Sequence, residues 1–178
     1  DGRAPAGQRD CVKAAVARWR AAHQEVGVSL PYENSTTGER ALSDIQKLLR
    51  GFGCSKFGSM VDDEAKEIMV QFEYRGRPVS VRASIRGYAA AWLKEHPYTY
   101  RTKGSKTDHE RKALQIASIA VYSILRDWIK GQITAIETGI LTFEGAFLGQ
   151  ILLPSGQTVL ERLKTDNLLP APSGETTP

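Results

Sequence analysis

Two runs of strict alternation set the strongest limit on how this chain folds. From Glu67 to Tyr74, apolar Ile68, Val70, Phe72 and Tyr74 alternate with Met69, Gln71 and Glu73. From Val79 to Ile85, Val79, Val81, Ala83 and Ile85 alternate with Ser80, Arg82 and Ser84. A period of two puts every second side chain on one face of a strand, which a helix does not do. Between the runs stands Arg75-Gly76-Arg77-Pro78, a glycine-containing turn. The pair reads as an antiparallel hairpin with one buried face. A weaker strand candidate, Cys54 to Ser59, precedes it, and Asp62-Asp63-Glu64 reads as the polar turn between them.

Helical periodicity surrounds this sheet. Ala41, Leu42, Ile45, Leu48 and Leu49 make one stripe over 38–51, and Gly51 and Gly53 stop it. A short helix is expected over Gly87 to His96, anchored by Tyr88, Ala91 and Trp92 and ended by Pro97. The longest pattern opens at Thr107, where Thr107 and Glu110 have capping-box spacing. Its stripe is Leu114, Ala117, Val121, Leu125 and Trp128, widened by Ile116, Ile119, Ala120 and Ile124, and it runs to about Thr138 with Gly131 as a weak point or an early stop. Beyond it the pattern predicts a short helix over Leu141 to Phe147, a fourth strand over Gly149 to Leu153, a turn at Pro154-Ser155-Gly156 and a helix over Gln157 to Lys164. The expected fold class is α+β: an antiparallel sheet of three or four strands on one long helix, with smaller flanking helices. The expected divisions are an N-terminal tail, helix and connector over 1–37, a core domain over 38–164 and a disordered tail over 165–178. The N-terminal helix would start at Asp10, carry Trp19 on its apolar face and end near Gly27.

With 178 residues, 41% of them hydrophobic, the chain is long enough to bury a core without disulfide or metal staples. No apolar run approaches the roughly 20 residues that span a bilayer, so no membrane partner is expected. Cys11 and Cys54 make no metal spacing and no CxxC, and reduced thiols are the expectation. His23, His96 and His109 form no zinc pattern, and no nucleophile elbow or phosphate loop is present. Asp62-Asp63-Glu64 lacks the spaced oxygens of a calcium loop, and nothing fixes the separation of Glu137 and Glu144 as paired acids. No catalytic residue, metal or cofactor is expected.

The charge distribution carries the functional expectation. The net charge is +4, but from Arg75 to Lys112 ten cations face three acids, so these 38 residues hold +7 and the rest −3. Such a block suits an anionic partner. Alternation turns Arg82 and, beyond it, Arg86 outward, beside Gln71 and Glu73, and the hairpin tip adds Arg75 and Arg77. The aperiodic stretch from Tyr98 to Lys106 reads as a mobile basic loop that offers Tyr98, Tyr100, Arg101, Lys103 and Lys106, and the next helix starts with Arg111 and Lys112. Cations follow phosphates, and aromatic faces stack on bases of any identity, which suits single strands. Three bland roles compete: the block as a solvated face, Tyr98 and Tyr100 as pins of their loop, and Arg82 as a salt-bridge partner of Glu73. Trp19, Trp92 and Trp128 fall on apolar faces and read as core.

Three segments carry a family resemblance: Leu48-Leu49-Arg50 with Gly53, the hairpin from Phe72 to Val79, and the block Ala135-Ile136-Glu137-Thr138-Gly139-Ile140 with Thr142-Phe143-Glu144, Phe147-Leu148 and Ile151 to Val159. From Ile45 to Leu163 the chain resembles a group of small proteins of tailed phages, prophages and mobile elements. The resemblance implies a phage-like setting in which small basic proteins handle DNA, in the cytoplasm of a bacterial host. It carries no catalytic residue across. The expected function is non-enzymatic binding or annealing of single-stranded DNA, with a homo-oligomer as a further expectation. The first alternative is an assembly subunit that binds a protein partner through its helices, and the second is an enzyme with an unrecognised site.

Overall fold

In the computed structural model, which describes residues 30–169, the two alternating runs form adjacent antiparallel strands. Helix α1 (Gly38–Gly51) leads into β1 (Lys56–Asp62), β2 (Glu67–Tyr74) and β3 (Arg77–Ser84), and the sheet order is β1-β2-β3. Helices α2 (Ile85–Glu95), α3 (Lys106–Glu137), α4 (Phe143–Phe147) and α5 (Val159–Thr165) follow, with a 3-10 turn over Leu148–Gln150. This is the expected α+β class. The N-terminal helix predicted from Asp10, with Trp19 and Cys11, lies outside the described residues. No helix among the described residues is long and apolar enough to cross a membrane.

The register explains the burial. Phe72 faces Val79, Val70 faces Val81 and Ile68 faces Ala83. Of these six, all but the half-buried Ala83 are buried on the helix side of the sheet. The hairpin turn is tighter than predicted. Only Arg75 and Gly76 form it, both in the left-handed region (φ 48 and 77), so Arg77 and Pro78 belong to β3. Two such residues twist with the strands, and glycine adopts this conformation freely. At the other end of β3, Ser84 accepts a hydrogen bond from the Gly87 amide, 3.1 Å. That cap turns Ile85, predicted as strand, into the first residue of α2. The first strand lies later than predicted, because the Cys54 amide still bonds the Leu49 carbonyl at the end of α1.

Helix α3 spans 32 residues, about 48 Å at 1.5 Å per residue, and Gly131 does not interrupt it. Its capping box is Ser105 and Asp108, two residues before the predicted Thr107 and Glu110. Gly104, at φ 91, lets the chain reverse early enough for Ser105 to reach the Asp108 amide. The buried stripe of α3 is Ala113, Ala117, Ala120, Val121, Leu125, Ile129 and Ile133 with Ser123, while Leu114 and Trp128 are only half-buried. Both α1 and α2 pack on this helix, so its apolar surface is wider than one stripe.

The predicted fourth strand shrinks to two bridges. The 3-10 turn consumes 148–150, leaving Ile151 to pair with Val79 and Leu152 with Thr158. The Leu152 amide also bonds the Pro78 carbonyl, 2.8 Å, so this segment covers the outer edge of β3. An aromatic cluster anchors it. Phe147 is fully buried, with its ring 5.4 Å from Phe72, 5.3 Å from Phe143 and 5.6 Å from Trp128. Residues 165–168, predicted as the start of a disordered tail, still belong to the fold, since the Leu168 amide bonds the Leu163 carbonyl, 3.0 Å; residues 170–178 lie outside the described residues.

Candidate nucleic-acid interface

The cations of the basic block do not form one surface. Arg75 and Arg77 share a cleft with Ile136 and Glu137, at the C-terminal end of α3. Seven of the predicted contact residues, Tyr98, Tyr100, Arg101, Lys103, Lys106, Arg111 and Lys112, lie in or beside the loop that opens the N-terminal end of α3. The helix length of about 48 Å separates the two groups.

At the hairpin end the arginines have partners. Arg77 pairs with Glu144 of α4, one of the two acids singled out in the sequence. Arg75 lies over the Tyr74 ring, 5.1 Å from its centroid, and Tyr74 stacks on Phe52. Glu137 lines the same cleft, so two acids face two arginines there.

The outer sheet face does not carry the arginine surface expected of it. Its rows are Lys56, Glu73 and Pro78; Gly58, Gln71 and Ser80; Met60, Met69 and Arg82; Asp62, Glu67 and Ser84. Three acids outnumber two cations, and no aromatic ring lies on this face. Arg82 sits opposite Met69, two pairs away from Glu73, so the salt bridge anticipated between them does not form. Its partner is Glu161 of α5, 3.2 Å away, while Glu73 pairs with Lys56 at 2.8 Å. The Lys56 ammonium holds the Glu73 carboxyl below its usual range. Ser80 points to this face yet is buried, in a cleft shared with Thr158, Leu160 and Glu161. Arg86 donates to the Glu64 carbonyl, 2.7 Å, and so closes the β1–β2 turn. In that turn Asp62 accepts from the Glu64 and Ala65 amides.

The loop at the other end is ordered by its own hydrogen bonds. The Tyr98 hydroxyl donates to the Gly104 carbonyl, 3.1 Å, and its ring lies 5.8 Å from His109. The Thr99 amide donates to the Thr102 hydroxyl, 3.0 Å. Tyr98 is thus a pin of the loop. Tyr100 is not: the residue is 88% exposed. Arg101 donates to the Tyr100 hydroxyl, 2.8 Å, with its guanidinium 5.3 Å from the ring centroid.

Beneath the loop is a packed base. Trp92 is buried, and its indole N–H donates to Glu33, 2.7 Å. His96 stacks on Trp92 with ring centroids 4.3 Å apart, and its Nε2 lies 3.2 Å from the same carboxylate. His109 Nε2 meets the His96 carbonyl at 2.8 Å. An adjoining cavity of about 490 Å³ is lined by Lys103, Lys112, Asp108 and the two histidines among others.

The local charges are only partly balanced. Asp108 pairs with Arg111 at 3.0 Å, and Glu110 stands 4.0 Å from Lys106. Hydrogen bonds from Ser105 hold the Asp108 carboxyl below its usual range. Lys103 and Lys112 make no ion pair among the described residues. Lys94, in the last turn of α2, is a further exposed cation at this end, outside the predicted set of contacts.

No group of three or more His, Cys, Asp or Glu side chains among the described residues is arranged to hold a metal. Burial pushes the Cys54 thiol up to about 11, so it stays protonated at neutral pH and is a poor nucleophile. The chain matches no protein-family model, no curated protein and no solved structure among those compared with it.

Proposed function

We propose that this protein binds single-stranded nucleic acid through the loop and first turns of α3, from Tyr98 to Lys112. One observation carries this reading: Tyr100 stands 88% exposed with the Arg101 guanidinium held beside it. A tyrosine turned to water with no packing role offers a stacking face, and its neighbouring cation offers a phosphate contact. Lys103, Lys112 and Lys94 add charge along the same end. The contacts proposed here exclude the sheet face and the hairpin tip, where Arg82 and Arg77 are paired with Glu161 and Glu144 and Glu137 lines the cleft beside Arg75. A phage or mobile-element setting, with strand annealing as the cellular use, fits such a small basic binder.

The test is fluorescence anisotropy with a labelled single-stranded oligonucleotide and the matching duplex across a salt series. The single strand binds more tightly, and its affinity falls with a log–log slope of about −3, as for four neutralised phosphates on a single strand. Tyr100→Ala weakens binding about 5- to 150-fold, the equivalent of losing one base stack. Arg75→Ala with Arg77→Ala changes it less than about twofold. No binding at low salt, or full binding by Tyr100→Ala, overturns the proposal.

A further inference from the structure

The two edges of the sheet are treated differently. Ile151 and Leu152 bond to β3 and close that edge. Strand β1 has no backbone partner on its outer side among the described residues. It is also poorly buried: Phe57 is half-buried, the other six residues are exposed, and Met60 and Val61 are 56% and 44% accessible. A bare seven-residue edge with apolar side chains invites another strand unless charges interrupt it. Here the charges stand only at its two ends, Lys56 and Asp62.

We infer that β1 is a self-pairing edge, through which two copies of the chain join their sheets antiparallel about a twofold axis at Ser59. The segment Lys56-Phe57-Gly58-Ser59-Met60-Val61-Asp62 is complementary to its own reverse. With Ser59 at the centre, all seven residues overlap and Lys56 of each copy lies opposite Asp62 of the other. Phe57 meets Val61 on the helix side. Gly58 meets Met60 on the outer face, where the methionine covers the bare glycine. Registers shifted by an even number of residues keep the faces aligned but lose both charge pairs, and odd shifts put opposite faces together.

Interactions inside each copy favour the same register. Asp62 lies opposite Glu67 on β2, a like-charge neighbour that costs stability. A lysine from the second copy on the free side of Asp62 offsets it. Asp62 uses Oδ1 for the Glu64 and Ala65 amides, which leaves Oδ2 for that lysine. Lys56 has its head mostly in solvent, 73% exposed, so it reaches a second acid while keeping Glu73. The product is one six-stranded antiparallel sheet with an isologous interface.

Analytical ultracentrifugation of the full chain tests this. The wild type sediments as a dimer, twice the 19.6 kDa chain mass. Lys56→Asp and Asp62→Lys each put like charges opposite one another at both ends of the pairing, and each weakens association at least about tenfold. Mixing the two variants restores a dimer, because every facing pair is then of opposite charge. Circular dichroism checks that both variants fold. Ser59→Cys provides a second route: the two thiols meet on the axis and oxidise to a linked dimer above the wild-type background. A monomeric wild type overturns the proposal, including a monomer whose β1 amides are shielded from hydrogen exchange by residues 1–29. So does a dimer that both charge reversals leave intact, or one in which Ser59→Cys does not cross-link.

Discussion

The two ends of α3 carry similar cations but balance them to different extents. At the C-terminal end, Arg77 is paired with Glu144 and Arg75 shares its cleft with Glu137. At the N-terminal end, Tyr100 and Arg101 stand out in solvent above a packed base of Trp92, His96 and His109. The acids explain the difference. Glu144 and Glu161 come from the segment after α3, which folds back over β3 and closes its edge. Nothing folds back over the loop at 98–106 among the described residues. A basic stretch becomes a candidate binding surface only where the rest of the chain leaves it uncompensated.

The largest perturbation removes the anchor of that segment. Phe147→Ala empties a fully buried site beside Phe72, Phe143 and Trp128. It is expected to cost about 3–5 kcal/mol in urea unfolding. Hydrogen exchange quickens first around Ile151 and Leu152, where the segment bonds to β3, and the contrast between the two ends shrinks as Glu144 and Glu161 loosen.

A smaller change acts at the open end. Ser105→Ala removes the cap that starts α3 and is expected to cost about 1 kcal/mol. Amide exchange rises in the first turn of α3 and leaves its last turn unchanged. The same cap gives a pH dependence. The Asp108 carboxyl is lowered by its bonds to Ser105, so its contribution is complete above the ordinary aspartate range near pH 4 and is lost as pH falls through the lowered value. The unfolding midpoint of the wild type therefore drops more steeply below about pH 4 than that of Ser105→Ala.

The smallest effect probes the closed end. Glu144→Gln frees Arg77 from a half-exposed pair. Stability changes by less than about 1 kcal/mol, as for other surface pairs. Oligonucleotide affinity at low salt rises a few-fold at most, since one cation is gained without an aromatic beside it. A rise as large as the loss from Tyr100→Ala means that the hairpin end is the true interface.

Much of this was legible in the sequence and some was misread for physical reasons. The alternation of β2 and β3 predicted their pairing and inner face, and the stripe over 38–51 predicted α1 to the residue. The capping box was misplaced because Thr107-x-x-Glu110 and Ser105-x-x-Asp108 overlap, and only Gly104 at positive φ selects the second. The pattern over Gly149 to Leu153 predicts a strand, but a 3-10 turn takes its first residues and leaves two bridges. Tyr98 and Tyr100 looked alike in sequence, yet one pins the loop and the other does not, since only Tyr98 reaches Gly104 and His109.

Local signals by themselves determined the elements: strand alternation, helical stripes, and turn residues such as Gly76. These act within a few residues, so the chain states them directly. The tertiary structure alone decided which cations are free. Arg77 finds its acid 67 positions along the chain and Arg82 finds its acid 79 positions along, counted from Glu144 and Glu161. Charge pairing depends on distance in space, and a helix of about 48 Å set the two basic groups apart.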